Sequence, residues 1–365
     1  MTRRKLNPKP RGTTPEPETS LGGPLAAASG LPRARVPSAL PQLASLSTLL
    51  DAFPARHLLV LGDLVADEYI YGQTDRISRE APVLVVRHVS SEVKLGGAAN
   101  AAANARALGA EVTVVGALGD DGMGAELRRL FESAGISLRA AVAEATETKT
   151  RILAGGINTT RQQMLRVDRG NVRPLPDAVA ERLVEQLRGA AGDADVILVS
   201  DYGAGVVSAP VRAELHRLAE KTRVCVDSRF GLQSLAGFYG AKPNEPELQL
   251  LTGVDVTTSE GLERAGAEGL DLLECAVLLV TRGRQGMVLF EKSLATAIPV
   301  HGARDAVDVT GAGDTVMATF TLALAAGATA VQAARLANVA GALVVQKQGT
   351  ATVPLPELRA ELERS

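Results

Sequence analysis

Thr310-Gly311-Ala312-Gly313-Asp314 opens an apolar helical stretch late in the chain. Small residues at 311, 312 and 313 let backbone N–H groups approach an anion with no Cβ in the way. The helix expected to follow, with Val316, Met317, Phe320 and Leu324 near one face, turns its positive end toward the same point. A carboxylate in that turn, Asp314, is expected to stay ionised and to accept a proton from a hydroxyl attacking the γ-phosphate of ATP. The same residues also suit a plain tight turn with Asp314 as a helix cap, and this fragment alone leaves the two readings level.

A second small-residue segment, Leu95-Gly96-Gly97-Ala98-Ala99-Asn100, enters a helix expected over Ala98–Leu108. Its paired glycines again permit close approach of backbone to ligand, and the Asn100 amide can both donate to and accept from sugar hydroxyls. As structure alone, the glycines are a turn and the alanines a tightly packed helix. The two motifs lie roughly two hundred residues apart, a separation that suits one cleft built from distant loops of a single sheet. Between them, Asn244 and Glu247 have the spacing of a helix-capping box.

Together these segments resemble the ribokinase family of carbohydrate kinases, also called the phosphofructokinase-B family. Gly96-Gly97-Ala98-Ala99-Asn100 is similar to its amino-terminal signature and Asp308-Val309-Thr310-Gly311-Ala312-Gly313-Asp314-Thr315 to its carboxy-terminal one. Asn244-Glu245-Pro246-Glu247 matches its Asn-x-x-Glu motif, and the likeness covers roughly residues 57–355. Within that family, Gly62–Tyr69, Tyr71-Gly72, Arg76–Val83, Thr148-Lys149-Thr150-Arg151, Ser200-Asp201-Tyr202-Gly203 and Lys347–Thr350 resemble the D-glycero-β-D-manno-heptose 7-phosphate 1-kinases. Those enzymes phosphorylate a seven-carbon sugar phosphate at its anomeric hydroxyl, on the route to ADP-heptose, and some are fused to a nucleotidyltransferase domain. The chain ends soon after Thr352, so kinase activity alone is expected of it. Three positions depart from the pattern. Ala204 stands where such kinases usually carry Lys, Asp227-Ser228-Arg229-Phe230-Gly231 replaces Asp-Pro-Lys-Gly, and Arg79 replaces Pro. Lost or moved cations bear on how the sugar's own phosphate is held.

The resemblance implies roles residue by residue. Asp314 is the general base, and the amides of Gly311, Ala312 and Gly313 stabilise the transferring phosphoryl group. The sugar meets Asp63, Asp67, Gly96, Gly97 and Asn100, while Arg76, Lys149 and Arg166 are candidates for its phosphate. ATP is expected against Asn244, Thr281, Gly283, Gly286 and Asn338. Glu247 serves Mg²⁺, and Asp308 with the carbonyl of Thr310 suits a monovalent cation such as K⁺. Two rival readings stay open: a kinase for another sugar, sugar phosphate or nucleoside, and a non-catalytic sugar or nucleotide sensor. Retention of both Asp314 and Glu247 argues against the sensor.

These residues need a frame. Short apolar runs at Leu58–Leu61, Val112–Val115, Val196–Val199, Val224–Val226 and Val277–Val280 read as buried parallel strands. Helical patterns at Met123–Ala134, Pro176–Leu187, Ala209–Lys221 and Glu245–Leu251 lie between them, with two further helices over Thr315–Ala326 and Thr329–Val345. That alternation predicts an α/β fold, a mostly parallel sheet with helices on both faces, and the resemblance implies that it is ribokinase-like. Ile77–Lys94 reads as a β-hairpin, and Lys149–Ala154 with Gln162–Val167 as further strands. A small projecting β-sheet from about 70–95 and 148–168 is expected, and the resemblance implies that it is the lid that covers the sugar and supplies a homodimer interface. The exposed apolar residues of such a flap favour packing against something.

Composition fits an ordinary enzyme of one large domain over 44–365. With 39 basic and 41 acidic side chains, nothing points to nucleic acid or an anionic membrane as partner. Two cysteines, Cys225 and Cys275, read as reduced thiols of a cytoplasmic protein. Residues 1–43 hold eight of the eighteen prolines and few large apolar side chains, so that tail is expected to be disordered. A short helix near Ser45–Phe53 precedes the first strand.

Overall fold

The computed structural model describes residues 43–156, 161–171, 173–292, 294–302 and 305–364. Apart from Leu43, the Pro-rich segment expected at 1–43 lies outside the described residues.

Leu58-Leu59-Val60-Leu61 is apolar at every position, so the strand it forms, β1 (His57–Gly62), must be covered on both faces. Alternation then divides its side chains: Leu58 and Val60 enter one core cluster, Leu59 and Leu61 the other. All four are fully buried, each stabilising the fold by about 1.5–3 kcal/mol relative to exposure. The strands β4 (Glu111–Gly119), β5 (Ser137–Ala143), β8 (Val196–Asp201), β9 (Arg223–Ser228), β10 (Gly240–Ala241) and β11 (Val277–Thr281) join β1 in parallel. Two antiparallel strands, β12 (Met287–Glu291) and β13 (Leu294–Ile298), close one edge, giving the order β13-β12-β11-β10-β9-β8-β1-β4-β5.

The helices α1 (Ala98–Ala107), α2 (Gly122–Ala134), α7 (Ala312–Ala325), α8 (Ala330–Val344) and α9 (Leu355–Arg364) contribute to the first core cluster. The second takes in α3 (Asp177–Ala190), α4 (Ala209–Ala219), α5 (Glu245–Thr252) and α6 (Ser259–Leu272). Alanines on α1 and α7 allow these two helices to pack closely, which matters because each begins at one of the two glycine motifs. The expected helix near Ser45–Phe53 is a 3₁₀ helix over Leu43–Ala55, with Leu46, Leu50 and Phe53 buried. Among the described residues, no helix is long and apolar enough to cross a membrane. Cys225 and Cys275 are both free thiols.

A separate four-stranded sheet, in the order β3-β2-β6-β7, is built from β2 (Leu64–Ile77), β3 (Leu84–Gly97), β6 (Glu147–Gly155) and β7 (Gln162–Arg169). The hairpin expected within Ile77–Lys94 is larger than anticipated: β2 forms its first arm, and the turn lies at 78–83, where Ser78 N–H donates to Val83 O at 2.8 Å. β2 escapes a periodicity search because Leu64, Val65, Ala66 and Asp67 at its base are all buried, leaving no apolar–polar alternation there. β5 was also absent from the sequence reading; Ser137-Leu138-Arg139-Ala140-Ala141-Val142-Ala143 has little β-branched content to mark it.

Candidate active site

Parallel strands end on a common edge, and the chemistry-bearing residues gather there. Asp63 follows β1, Tyr202 follows β8, Asp227 lies next to the end of β9, Lys242 follows β10 and Thr281 ends β11. The registers Gly62↔Ser200, Asp201↔Ser228 and Ala241↔Val226 set these ends side by side.

Onto this edge α1 and α7 bring their amino termini. Gly311, the residue before α7, has φ 76°, and a Cβ there would lie 2.4 Å from Asn100 Nδ2. Only glycine therefore permits the contact that joins the two motifs. Gly97, with φ 60°, plays the matching part before α1, where a Cβ would lie 2.5 Å from Asp63 O. That close approach lets Ala98 N–H donate to Asp63 O at 3.0 Å.

Asp314 sits in the first turn of α7 and is almost fully buried. Asn100 Nδ2 donates to its Oδ2 at 2.8 Å, and the Tyr202 hydroxyl donates to its Oδ1 at 2.7 Å. Asn104 Nδ2 in turn donates to Asn100 Oδ1 at 3.2 Å, and Thr315 Oγ1 to Asn104 Oδ1 at 3.0 Å. This chain fixes which end of the Asn100 amide faces the carboxylate. Burial, the largest influence, pushes the Asp314 carboxyl up to about 7, while hydrogen bonds from Asn100 and Tyr202 pull the other way. The expectation of a firmly ionised Asp314 is thus corrected: burial outweighs the hydrogen bonds and the Lys242 charge, and the group is poised near neutrality. Of the three amides expected to cradle an anion, that of Ala312 donates to Val309 O at 3.2 Å in a turn. Among the described residues, no backbone carbonyl accepts from the amides of Gly311 or Gly313.

Beside Gly313 lies a cation that the sequence reading missed. A Cβ on Gly313 would be 3.3 Å from Lys242 Nζ, which pairs with Asp227 Oδ2 at 3.1 Å. Burial opposes the Lys242 charge, yet Asp227 and Glu247 hold its pKa above the ordinary lysine value. Asn244 and Glu247 do form the capping box, through Asn244 N–H to Glu247 Oε2 and Glu247 N–H to Asn244 Oδ1, each at 2.8 Å. Burial raises the Glu247 carboxyl. The cap is therefore compatible with a place near Asp314, since both carboxylates act on Lys242. Among the described residues, no three His, Cys, Asp or Glu converge on a metal position.

Asp63, expected on the sugar, is fully buried, and its carboxylate accepts from the amides of Tyr202 at 2.7 Å, Ala204 at 2.9 Å and Val206 at 3.2 Å. Burial, against these amides, pushes it up to about 6. Its visible work is to shape the loop that carries Tyr202. Asp67 pairs with Arg151 at 2.5 Å and abuts Gly96, where a Cβ would lie 2.4 Å from Asp67 Oδ2.

A cleft of about 450 Å³ opens between the small sheet and the edge of the large one, with Lys149, Arg166, Tyr202, Ala204, Arg229 and Phe230 among its lining residues. Lys149 and Arg166 thus lie together as expected. Arg76 does not: it is exposed near the far end of β2, opposite Val85, and lines no part of this cleft. Arg76 is a candidate in sequence as a cation within the resembling Arg76–Val83 segment, and the register carries it away from this cleft. Arg229, noted in the sequence only as a departure, takes its place.

On the nucleotide side, Asn244 bridges Thr281 across the ends of β10 and β11. Gly283 begins the turn that leads to Gly286, and Arg282 N–H donates to Gly286 O at 2.9 Å. Gly286 backs onto Ile298-Pro299-Val300, residues that line a slot of about 250 Å³ together with His301, Arg335 and Asn338. Asn338 Nδ2 donates to Pro299 O at 2.7 Å. Asp308 accepts from the amides of Thr310 at 2.9 Å and Gly349 at 2.8 Å. Burial raises its carboxyl, but these bonds prevail and hold it below the usual carboxylate range. The loop before α7 is thereby tied down.

Lys242 carried no periodic or motif signal of its own, since it follows a strand of only two residues, Gly240–Ala241. Tyr202 lies within Ser200-Asp201-Tyr202-Gly203, a segment of the resemblance, but with no role assigned there; the clue to it was position, directly after the apolar run of β8.

Comparison with known proteins agrees with this geometry. The sequence pattern of the pfkB family of carbohydrate kinases matches residues 55–358. Proteins named bifunctional protein HldE are 39% identical over 83% of this chain in Citrifermentans bemidjiense and 38% identical over 86% of it in Pelobacter propionicus. The chain spans 63% and 64% of the length of those relatives. Among solved structures, Arabidopsis thaliana ribokinase complexed with ribose and ATP superposes with a TM-score of 0.67 at 23% identity, covering 85% of this chain and 99% of that one. Phosphofructokinase-2 from Escherichia coli gives 0.70 at 17% identity, with the same coverage. These two likenesses establish the fold.

Proposed function

Because the chain belongs to the pfkB family of carbohydrate kinases and is an ATP-dependent sugar kinase, we propose that its acceptor is a sugar phosphate, D-glycero-β-D-manno-heptose 7-phosphate. The product is the 1,7-bisphosphate. The anomeric oxygen forms a bond to the γ-phosphorus, the bond from that phosphorus to the β–γ bridging oxygen breaks, ADP leaves, and the hydroxyl proton passes to Asp314.

The observation that carries the transfer reading is the meeting of Asn100 and Asp314 at the start of α7, with Lys242 alongside. The amides of Gly311 and Gly313 and the Lys242 ammonium offer positive charge where the transferring phosphoryl group develops negative charge. Ala312 serves through its turn. Asn100, Asp67 and the Gly96–Gly97 backbone border the sugar, and Asp63 orders the Tyr202 loop against it. The heptose phosphate reading is supported by the six segments similar to heptose 7-phosphate kinases, the HldE relatives, and a cationic cleft beside Tyr202.

ATP is placed with its phosphates toward Gly311–Gly313 and its base in the slot by Asn338, with Thr281, Gly283 and Gly286 along its flank. Magnesium fits a site where few protein ligands converge, because it keeps its water; Glu247, beside Asp227, would hold it through that water. When bound, the ion neutralises phosphate charge. Asp308 and the Thr310 carbonyl are the place for K⁺, since each Asp308 oxygen keeps a lone pair after accepting one amide.

A coupled ADP-release assay with a panel of sugars and sugar phosphates tests the reading, run beside Asp314→Asn. Heptose 7-phosphate should be preferred, and the variant should lose at least roughly 10²-fold in kcat. A clear preference for ribose, a hexose or a nucleoside would reassign the acceptor, and failure to consume ATP with any acceptor would revive the sensor. Exposed apolar residues on the small sheet, Val89, Leu165 and Val167 among them, are assigned to contact with a second copy. Sedimentation should give a dimer for the unaltered protein and a monomer for Leu165→Asp, and an unaltered protein that sediments as a monomer would remove this assignment.

A further inference from the structure

Five cations line the cleft between the small sheet and the main body, and they are not equivalent. Arg166 is bidentate to Asp168 at 2.8 and 2.9 Å. Arg169 pairs with Glu68, and Arg173 with Glu147, each at 3.1 Å. Each of these charges already has a carboxylate partner. Lys149 and Arg229 have no ion pair among the described residues. The Lys149 ammonium rests over the Tyr202 ring, 4.9 Å from its centroid, and the Arg229 guanidinium over Phe230 at 5.7 Å.

The two come from opposite walls. Lys149 projects from β6 of the small sheet, whereas Arg229 follows β9 of the large one. On the wall made by Tyr202, Ala204, Arg229 and Phe230, Arg229 is the one charged residue. Burial depresses the Lys149 ammonium and Arg229 repels it further, against attraction from Asp67. Two like charges left unpaired across a polar cleft are a strained arrangement, and a bound dianion relieves it. A phosphate monoester carries about −1.5 to −2 at neutral pH, which matches two cations and not five.

We propose that Lys149 and Arg229 clamp the acceptor's own phosphate between the small sheet and the main body, and that this pair sets the enzyme's preference for phosphorylated acceptors. The proposal rests on the sugar-phosphate reading above and assigns that specificity to two residues. Tyr202 lies between the two ends of the acceptor, its hydroxyl on Asp314 and its ring beneath Lys149. A ligand spanning the tyrosine therefore presents a hydroxyl to the base while its phosphate draws the two walls together.

Steady-state kinetics on Lys149→Gln, Arg229→Gln and Arg229→Lys tests the clamp, with heptose 7-phosphate and the same sugar lacking its phosphate. Each Gln variant should raise KM for the phosphorylated acceptor by on the order of 10- to 100-fold, the range for a hydrogen bond to a charged group, with little change in kcat. Preference over the unphosphorylated sugar should shrink by the same factor, and Arg229→Lys should recover part of it. Thermal melts separate these losses from misfolding. Calorimetry without ATP on Asp314→Asn protein, with heptose 7-phosphate, fructose 6-phosphate and inorganic phosphate as probes, reads binding apart from transfer. Weaker binding of any sugar phosphate after Arg229→Gln in that background supports the clamp even if the heptose assignment fails. The clamp is overturned if no phosphorylated probe binds, if both Gln variants bind like the parent, or if they weaken ATP instead.

Discussion

The transfer centre and the acceptor cleft lie on either side of one tyrosine, and they are built by opposite rules. At the centre the polar side chains are largely buried and answered: Asp314 by Asn100 and Tyr202, Asn100 by Asn104, Asp227 by Lys242. In the cleft, charge is abundant and partly unanswered, and four of its five cations are exposed, from strand β7 or from loops. The first arrangement is ordered before any ligand arrives, as electrostatic stabilisation of a transition state requires. The second is completed only by its ligand. Chemistry common to a family belongs in the former, and the choice of acceptor in the latter.

If that contrast holds, damage at the centre should remove turnover while leaving acceptor binding intact. Asp314→Asn is the largest case: kcat falls by at least roughly 10²-fold, and calorimetry should still register the sugar phosphate. A parallel loss of binding would merge the two regions. Lys242→Met comes next. It withdraws a charge from beside Gly313 and leaves Asp227 without its partner. A fall in kcat of about 10²-fold is expected, together with a stability loss on the order of 3 kcal/mol for an orphaned, largely buried carboxylate. Urea unfolding measures the second effect. Adding Asp227→Leu should restore much of the stability and none of the turnover; recovery of both would reduce Lys242 to a structural role.

The same contrast explains what was legible in the amino-acid sequence. Gly96–Asn100 and Gly311–Asp314 announce themselves because close backbone approach tolerates few residue types, and the structure joins them through Asn100 and Gly311. The apolar runs of β1, β8 and β11 are equally plain, since burial on both faces leaves no polar position. Lys242 was not legible, and Tyr202 was legible only as part of the Ser200–Gly203 segment, because the importance of each depends on which strand ends become neighbours. Asp63 shows a related limit: the sequence suggested a carboxylate for sugar hydroxyls and could not show that three amides from a loop about 140 residues away also converge on it. Cations in the cleft were the hardest to choose among. The sequence suggested Arg76, Lys149 and Arg166; register removes the first from the cleft and Asp168 engages the last.

Tyr202 offers the finest test, since it belongs to both regions. Asp314, pushed up to about 7, accepts a proton only when ionised. In the unaltered enzyme kcat/KM should therefore rise with pH through about 7 and level off above it, losing roughly 10-fold per unit below. The Tyr202 hydroxyl stabilises the ionised form by donating to Oδ1. Tyr202→Phe removes that donor, so the limb must move to higher pH, with a deficit of several-fold at pH 7 that fades on the alkaline plateau. The Phe ring still supports Lys149, so KM for the sugar phosphate should move little. A limb that stays in place while KM climbs would assign Tyr202 to the cleft alone, and the base would then owe its poise to burial and Asn100.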